Sequence, residues 1–388
     1  MIDSNHGKVP SVPIPSSPPA YHALPHRLHS GSYQSGRYDA ITDVPGVLVN
    51  HLTLLRGAGV RDGATVVMPT SDPWLAKVEA ATFTINGNGA LTNSDWIAES
   101  GYLETPIVLV GNTLSVGAAY DGVVRAMMSV HPQIGGLDDV PLPVVAEIDG
   151  QRLNNARSLA LTPASVAQMI AGAHTGDFAR GSVGAGTPSV SFQYKAGIGS
   201  ASVLLPRELG GYTVGVLLNA NTDRRDHLRI HGVPVGALLP HDDLPRNKRS
   251  VAFHDRGRSS DGSIIIVLAT DAPLDARQLH ALAKRATFGL ARTGAISRLS
   301  SGDQVIAFST SRVTRVRARG DLAAPVTKLI EDEAVLNGLY LAVADATEDA
   351  LDDALLSAKT ISGNGATVFA IPHAPLEMLL AHPPSELK

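Results

Sequence analysis

The chain has 388 residues, and its 44% hydrophobic content and 37 glycines are typical of a globular protein with many tight turns. A formal net charge of −4 argues against a broad surface for nucleic acid or for an anionic membrane. The chain has no cysteine, which excludes disulfides, thiolate catalysis and cysteine metal sites.

The first 37 residues form a polar segment rich in Pro, Ser and His. We expect residues 1–37 to be disordered or to wrap the protein surface, and residues 38–388 to form a single domain. The segment has no apolar core of the signal-peptide type, and no later stretch has the pattern of a membrane span. The sequence therefore favours a cytoplasmic protein.

Six apolar runs bounded by Gly, Pro or Asn predict strands that are buried on both faces. The runs are Pro106–Val110, Pro141–Ala146, Tyr212–Leu218, Ser263–Ala269, Gln304–Ser309 and Ala366–Ala370. Helical spacing of apolar residues predicts helices over Leu114–Met128, Thr162–Ala173, Pro273–Thr293, Pro325–Ala346 and Glu348–Lys359. Together these elements indicate layers of helices outside packed sheets.

A charged segment, His241–Asp261, precedes Gly262-Ser263, and we expect it to be an exposed, flexible loop. The Gly-Ser junction is either a turn before a buried strand or a site of self-cleavage. In the second case Ser263 attacks the carbonyl of Gly262 and the amide becomes an ester. Water then hydrolyses the ester, and Ser263 becomes the N-terminal nucleophile of a new chain. Glycine would assist because it has no Cβ and tolerates unusual backbone angles.

A serine nucleophile needs a base, an orienting partner and donors for the oxyanion. Ser301 and Asp303 open a predicted strand, where residues two apart project from the same face, so they are candidates to assist Ser263. Asn221 follows another predicted strand and is a candidate oxyanion donor. Each of these segments also fits an ordinary turn.

Glu147 closes a predicted strand, and a carboxylate there can bind the ammonium group of a substrate. The alternative is an ion pair with Arg152 or Arg157.

Other motifs carry weaker signals. The turn Asn86–Gly89 could bring backbone N–H groups near a substrate. Gly181–Thr187 lacks the order of residues that nucleotide-binding loops require. His227 and His231 have no evident third ligand, so no zinc site is predicted.

The order and spacing of several segments resemble the DmpA/BapA-type aminopeptidases, also called the L-aminopeptidase/D-esterase family, which includes β-peptidyl aminopeptidases. The segments are Ile41–Val47, Asn86–Gly89, Gly181–Thr187, Asn219–Asn221, Asp261–Ile266, Ser301–Asp303 and Ile306–Thr310. The resemblance runs from about Tyr38 to Leu379. It implies an α+β fold, a four-layer αββα sandwich similar to that of N-terminal nucleophile hydrolases but with different strand connectivity.

The resemblance also implies autoproteolysis between Gly262 and Ser263, which gives an α chain (1–262) and a β chain (263–388). By position it implies that Ser263 is the nucleophile and Asn221 the oxyanion asparagine. Ser301 and Asp303 match the serine–carboxylate pair that assists the nucleophile.

For substrates, the resemblance implies that Glu147 lies near the substrate amine. Members of the family release N-terminal L-, D- or β-amino acids from small peptides, amides and esters, need no metal or other cofactor, and assemble as oligomers, commonly tetramers of αβ units. This chain departs from one branch at Asp149, where that branch has a tyrosine. An ionised aspartate cannot donate to an oxyanion as a tyrosine can, but it would make the substrate-binding pocket more negative.

Two alternatives are an acyltransferase similar to ornithine acetyltransferase and an unprocessed, non-catalytic relative. The first uses a threonine nucleophile, and the serine at position 263 counts against it.

Overall fold

A computed structural model of the chain describes residues 29–239, 262–315 and 327–383. The predicted loop His241–Asp261 and residues 1–28 of the predicted tail lie outside the described residues.

The strands are β1 Leu48–Arg56, β2 Val60–Met68, β3 Ala76–Gly87, β4 Tyr102–Leu103, β5 Ile107–Val110, β6 Val144–Glu147, β7 Val190–Ser191, β8 Tyr194–Lys195, β9 Ile198–Leu204, β10 Thr213–Asn221, β11 Ser263–Thr270, β12 Gly302–Arg315, β13 Ile361–Gly363 and β14 Ala366–Val368. The helices are α1 Ser94–Ser100, α2 Val116–Val130, α3 Pro163–Ala171, α4 Val235–Leu238, α5 Ala276–Arg292, α6 Glu333–Leu356 and α7 His373–Ala381. In the described ranges, no helix has both the length and the apolar character needed to cross a bilayer.

Two sheets form the centre of the molecule. One has four strands in the order β1-β2-β5-β6, and the other has six in the order β4-β3-β12-β11-β10-β9. Side chains such as Val67 and Leu109 of the first sheet pack against Ile265, Val267 and Phe308 of the second. Because successive side chains of a strand point to opposite faces, the neighbours of these residues face outwards.

Helices cover both outer faces of the paired sheets. Val66 and Val108 pack with Val123 of α2 and Val166 of α3, while Ile266 of the six-stranded sheet packs in the core that includes α5 and α6. The order is therefore helices, sheet, sheet, helices, and the predicted four-layer αββα sandwich is confirmed.

One predicted break between helices is wrong. The two helices expected over Pro325–Ala346 and Glu348–Lys359 are a single helix, α6, which begins at Glu333. The acidic residues around Glu348 interrupt the apolar pattern, but they are buried against the rest of the fold and the helix continues through them. Strands β1 and β3 also contain polar residues, so they do not form continuous apolar runs and the sequence pattern did not predict them.

The described part of the predicted tail lies along β9 and α6. Gln34 forms a β-bridge with Leu204 at the edge of the sheet. The backbone N–H of Gly36 donates to Ser202 Oγ at 3.1 Å, and that of Ser30 donates to Asp349 Oδ1 at 3.0 Å.

Strand register brings four chain segments to one end of the six-stranded sheet. Antiparallel β10 ends at Asn221 opposite Ser263, the first residue of β11. Parallel β12 places Gly302 on the other side of Ser263, and antiparallel β3 places Gly87 opposite Gly302.

Candidate active site

Ser263 lies at this end of the sheet, between two strands, and is 5% exposed. Its Oγ accepts a hydrogen bond of 3.3 Å from the backbone N–H of Gly302. The parallel pairing of β11 with β12 fixes this contact, because it sets Ser263 beside Gly302. The serine is thus held on a rigid strand at the edge of the buried interior.

Gly262 approaches the end of β10 too closely for any side chain. A Cβ at this position would lie 2.1 Å from the carbonyl oxygen of Asn221 and 2.3 Å from Thr222 Cα. The φ of Gly262 lies outside the left-handed region, so the backbone angle does not explain the need for glycine. The close approach of the neighbouring backbone does explain it.

Ser301, directly before β12, and Asp303, its second residue, contact each other directly, as residues two apart in an extended chain can. The Ser301 hydroxyl donates to Asp303 Oδ1 at 2.5 Å, and the backbone N–H of Ile264 donates to the same oxygen at 3.1 Å. Burial raises the pKa of the Asp303 carboxyl above its ordinary value, and the charge of Asp223 adds to the rise. A carboxylate with a raised pKa exchanges protons more readily near neutral pH.

The loop before Ser301 is anchored by the turn that follows β3. Asn86 Nδ2 donates to the carbonyl oxygens of Arg298, at 2.8 Å, and Ser301, at 2.5 Å. Asn88 Nδ2 donates to the carbonyl of Ser300 at 2.7 Å. The sequence suggested that this turn offers backbone N–H groups to a substrate, whereas the structure uses its side-chain amides to hold the Ser301 loop.

Asn221 has its amide fixed at both atoms. Its Oδ1 accepts from the backbone N–H of Val190 at 2.9 Å, and its Nδ2 donates to the carbonyl of Asp149 at 3.2 Å. An asparagine amide has two N–H groups, so the second is available to an oxyanion as far as the described residues go. Asn219, two residues earlier, is fully buried and binds Ser189 Oγ at 2.7 Å.

Glu147 reaches this end of the six-stranded sheet from the other sheet. Its oxygens accept from the backbone N–H of Ala90 at 3.1 Å and from Thr113 Oγ1 at 2.5 Å. A Cβ on Gly89 would lie 3.2 Å from Glu147 Oε1 and 3.1 Å from Gly302 Cα, which places the carboxylate close to the neighbour of Ser263. Burial raises the pKa of Glu147, and the charge of Asp149 adds to the rise.

The carboxylate of Asp149 is exposed and folds back onto its own loop. It accepts from the backbone N–H of Gln151 at 3.0 Å and from Gln151 Nε2 at 2.9 Å. Only its backbone carbonyl contacts Asn221, so its side chain influences the site through charge.

The weaker motifs have other partners. Gly184 and Ala185 donate their backbone N–H groups to Thr53 Oγ1 and Thr65 Oγ1, so the glycine-rich segment packs against the four-stranded sheet. His227 Nδ1 lies 3.0 Å from Asp223, whereas His231 Nε2 lies 3.7 Å from Asp352 of α6.

Comparison with known proteins yields close relatives. The model of peptidase family S58 matches residues 39–368. The β-peptidyl aminopeptidase BapA of Sphingosinicella microcystinivorans is 37% identical over 363 residues, which cover 89% of this chain and 88% of the relative. The solved β-aminopeptidase of a Burkholderia species is 36% identical with a TM-score of 0.81, covering 90% of this chain and 96% of that one.

A third relative, the L-aminopeptidase D-Ala-esterase/amidase of Ochrobactrum anthropi, is 32% identical with a TM-score of 0.82 and covers 94% of this chain and 98% of its own. That structure is described as a prototype of the serine aminopeptidases and a new variant of the N-terminal nucleophile hydrolase fold. The fold and the comparisons therefore define a serine-type aminopeptidase hydrolase. More narrowly, the chain belongs to peptidase family S58, and the resemblance to DmpA/BapA-type aminopeptidases is confirmed.

Proposed function

We propose that Ser263 is the nucleophile of two successive reactions, cleavage of its own chain and hydrolysis of substrates. The proposal is carried by one observation: strand register places Ser263 between Asn221 and Gly302, beside the hydrogen-bonded pair Ser301–Asp303.

In the first reaction Ser263 Oγ attacks the carbonyl carbon of Gly262. The bond from that carbon to the Ser263 nitrogen breaks, the hydroxyl proton passes to this nitrogen, and the Gly262 acyl group becomes an ester on Oγ. Water then hydrolyses the ester and releases a carboxyl terminus at Gly262 and a free amino group on Ser263. Asn221 lies directly opposite Ser263 in the strand register, which supports a role for its side-chain amide in binding the oxyanion.

In the second reaction Ser263 Oγ attacks the acyl carbon of the substrate, and the bond from that carbon to the leaving nitrogen or oxygen breaks as the leaving group takes a proton and departs as an amine or alcohol. Water then hydrolyses the acyl-enzyme, releasing the acid and restoring the Ser263 hydroxyl. Ser301 and Asp303 assist by taking and returning the hydroxyl proton. The new amino group of Ser263, with an ordinary pKa of about 7.7–8.0, is a further base at the same place. The second N–H of Asn221 donates to the oxyanion.

Glu147 selects substrates with a free amine, because its buried carboxylate lies close to the strand that flanks Ser263. The substrates proposed are small peptides, amides and esters with an N-terminal L-, D- or β-amino acid. Two of the relatives are β-aminopeptidases, which supports including β-aminoacyl substrates.

Intact-mass measurement tests this proposal. Purified protein incubated at neutral pH should give two chains, the smaller beginning at Ser263, and should hydrolyse a panel of aminoacyl p-nitroanilides and β-dipeptides. Ser263→Ala should remain one chain and lose turnover by about 10⁴-fold or more. Ser129→Ala, on the exposed face of α2, is the matched control and should behave as wild type. Wild-type turnover in Ser263→Ala would refute the nucleophile assignment.

We also propose that αβ units form a homo-oligomer, a tetramer, as the family resemblance implies. Light scattering of the purified protein should give about four times the 40.5 kDa mass of one chain.

A further inference from the structure

Asp223 occupies a strained position beside the proposed active site. It follows the end of β10 by two residues and has a φ of 63°, in the left-handed region that side-chain-bearing residues seldom adopt. It is also only 3% exposed. A strained, buried carboxylate next to Asn221 calls for a structural or catalytic reason.

The carboxylate joins two segments of chain. Its Oδ2 accepts from the backbone N–H of Ile296 at 2.8 Å, in the loop between α5 and β12. Its Oδ1 accepts from His227 Nδ1 at 3.0 Å and from the backbone N–H of Arg224 at 3.1 Å. One side chain thus connects the end of β10 with the loop that leads to Ser301.

The backbones of the same two segments are also in direct contact. Arg229 donates its N–H to the carbonyl of Thr293 at 2.9 Å. A Cβ on Gly294 would lie 1.9 Å from the carbonyl oxygen of His227. The start of the loop therefore lies directly against the turn that holds Asp223.

The far half of the loop is held by the side-chain amides of Asn86 and Asn88, which bind carbonyls from Arg298 to Ser301. The near half is held by the carboxylate of Asp223, which accepts a hydrogen bond from the backbone N–H of Ile296. These two attachments set the path of the loop, and with it the place where the Ser301 hydroxyl meets its partner.

We propose that Asp223 is a positioning residue of the reaction, which holds the Ser301–Asp303 pair in place relative to Asn221. This inference rests on the proposed function, because it assumes that the pair serves Ser263.

Charge gives Asp223 a second influence. Its negative charge adds to the effect of burial in raising the pKa of Asp303. Among the described residues, the ionisable groups adjoining Asp223 in this turn include His227 and Arg224, and Arg224 pairs with Asp226 at 3.1 Å. Removing the charge of Asp223 should therefore lower the pKa of Asp303.

Two substitutions separate position from charge. Asp223→Gly suits the left-handed backbone but loses the bonds to Ile296 and His227, so kcat per processed chain should fall about tenfold or more while KM changes little. Asp223→Asn keeps an acceptor for Ile296 and removes the charge. Its kcat should stay within about threefold of wild type, and the acidic limb of its kcat–pH profile should move to lower pH. Asp226→Asn, on the exposed side of the same turn, is the matched control.

Intact mass gives the processed fraction, so loss of folded protein is counted apart from loss of rate. Asp223→Gly with a wild-type kcat per processed chain overturns the positioning role. An unshifted acidic limb in Asp223→Asn overturns the effect of charge, even if the glycine variant fails to fold. Ser263→Ala in the same panel distinguishes failure of the proposed function from failure of this inference. Turnover by Ser263→Ala would overturn the proposed function. An inactive Ser263→Ala together with a wild-type rate in Asp223→Gly would overturn only the positioning role of Asp223.

Discussion

The proposed active site and the acidic face of α6 both bury carboxylates, yet they treat them differently. The acidic face comprises Asp345, Glu348, Asp349, Asp352 and Asp353. There Asp345 pairs with Arg292 at 2.6 Å, Asp349 with His29 at 2.8 Å, and Asp353 with Arg180 at 3.6 Å.

At the end of the six-stranded sheet, by contrast, the hydrogen bonds to Asp303 and Glu147 come from hydroxyls and backbone N–H groups. Burial raises the pKa of carboxyls in both regions, including Asp345. A raised pKa therefore identifies a buried acid and does not by itself identify a reactive one. The carboxylates of the proposed active site lie near a serine and accept hydrogen bonds from neutral donors. The carboxylates of α6 have cationic partners, which indicates a role in stabilising the fold.

A matched pair of substitutions tests this difference most strongly. Asp303→Asn should lower kcat by about 10²–10⁴-fold, because it removes the carboxylate that we propose accepts the proton of the serine. Activity of the wild type should fall as pH decreases through the pKa of Asp303, which lies above the ordinary value because the buried carboxylate is harder to ionise. Asp345→Asn should keep kcat and lower the urea midpoint instead. Equal kinetic losses in the two variants would contradict the distinction.

A smaller effect is expected at Glu147. Glu147→Gln keeps the shape of the side chain but loses its charge, so KM for substrates with a free amine should rise about tenfold. Neutral esters of the same size should show no comparable change. Glu99→Gln, on the exposed surface of α1, is the control. Equal losses on amines and esters would show that Glu147 does not bind the ammonium group.

The smallest expected effect concerns His29, whose imidazole is 22% exposed. The hydrogen bond to Asp349 raises the pKa of His29 to about 9 against the cost of burial. Because the folded-state pKa is raised, this stabilisation is complete below about pH 6.5 and is lost as pH rises through about 9. His29→Gln should therefore reduce the free energy of unfolding by about 1 kcal/mol at pH 6 and by less at pH 10, measured by urea titration. A loss independent of pH would rule out the charged pair.

Local sequence patterns predicted the strand at Ser263, from its continuous apolar run, and the approach of Ser301 to Asp303, from the alternation of side chains along an extended chain. They did not predict that Asn86 holds the Ser301 loop or that Asp223 reaches Ile296, since those contacts arise from strands that are adjacent in space and distant in sequence. No local feature marks Asp223 as special.

The acidic stretch of α6 shows the same limit. Buried carboxylates such as Asp345 fit inside the fold because Arg292 of another helix meets them. Without knowledge of that partner, the acidic stretch predicts that one helix ends and a second helix begins there. The position of Glu147 at a strand end was predictable, but its approach to Gly302 across the two sheets was not.

The order of the six-stranded sheet decides when the proposed cut can occur and whether the processed enzyme can refold. Strands β11 and β12, which belong to residues 263–388, lie between β4-β3 and β10-β9, all from residues 1–262. The two products would therefore be interleaved, and neither could leave without breaking two strand boundaries. Assembly from the uncut chain is unimolecular, whereas recovery of a denatured, processed enzyme would require two chains to find each other. Folding has to precede cleavage, and the lifetime of the mature enzyme is then set by the barrier to its first unfolding.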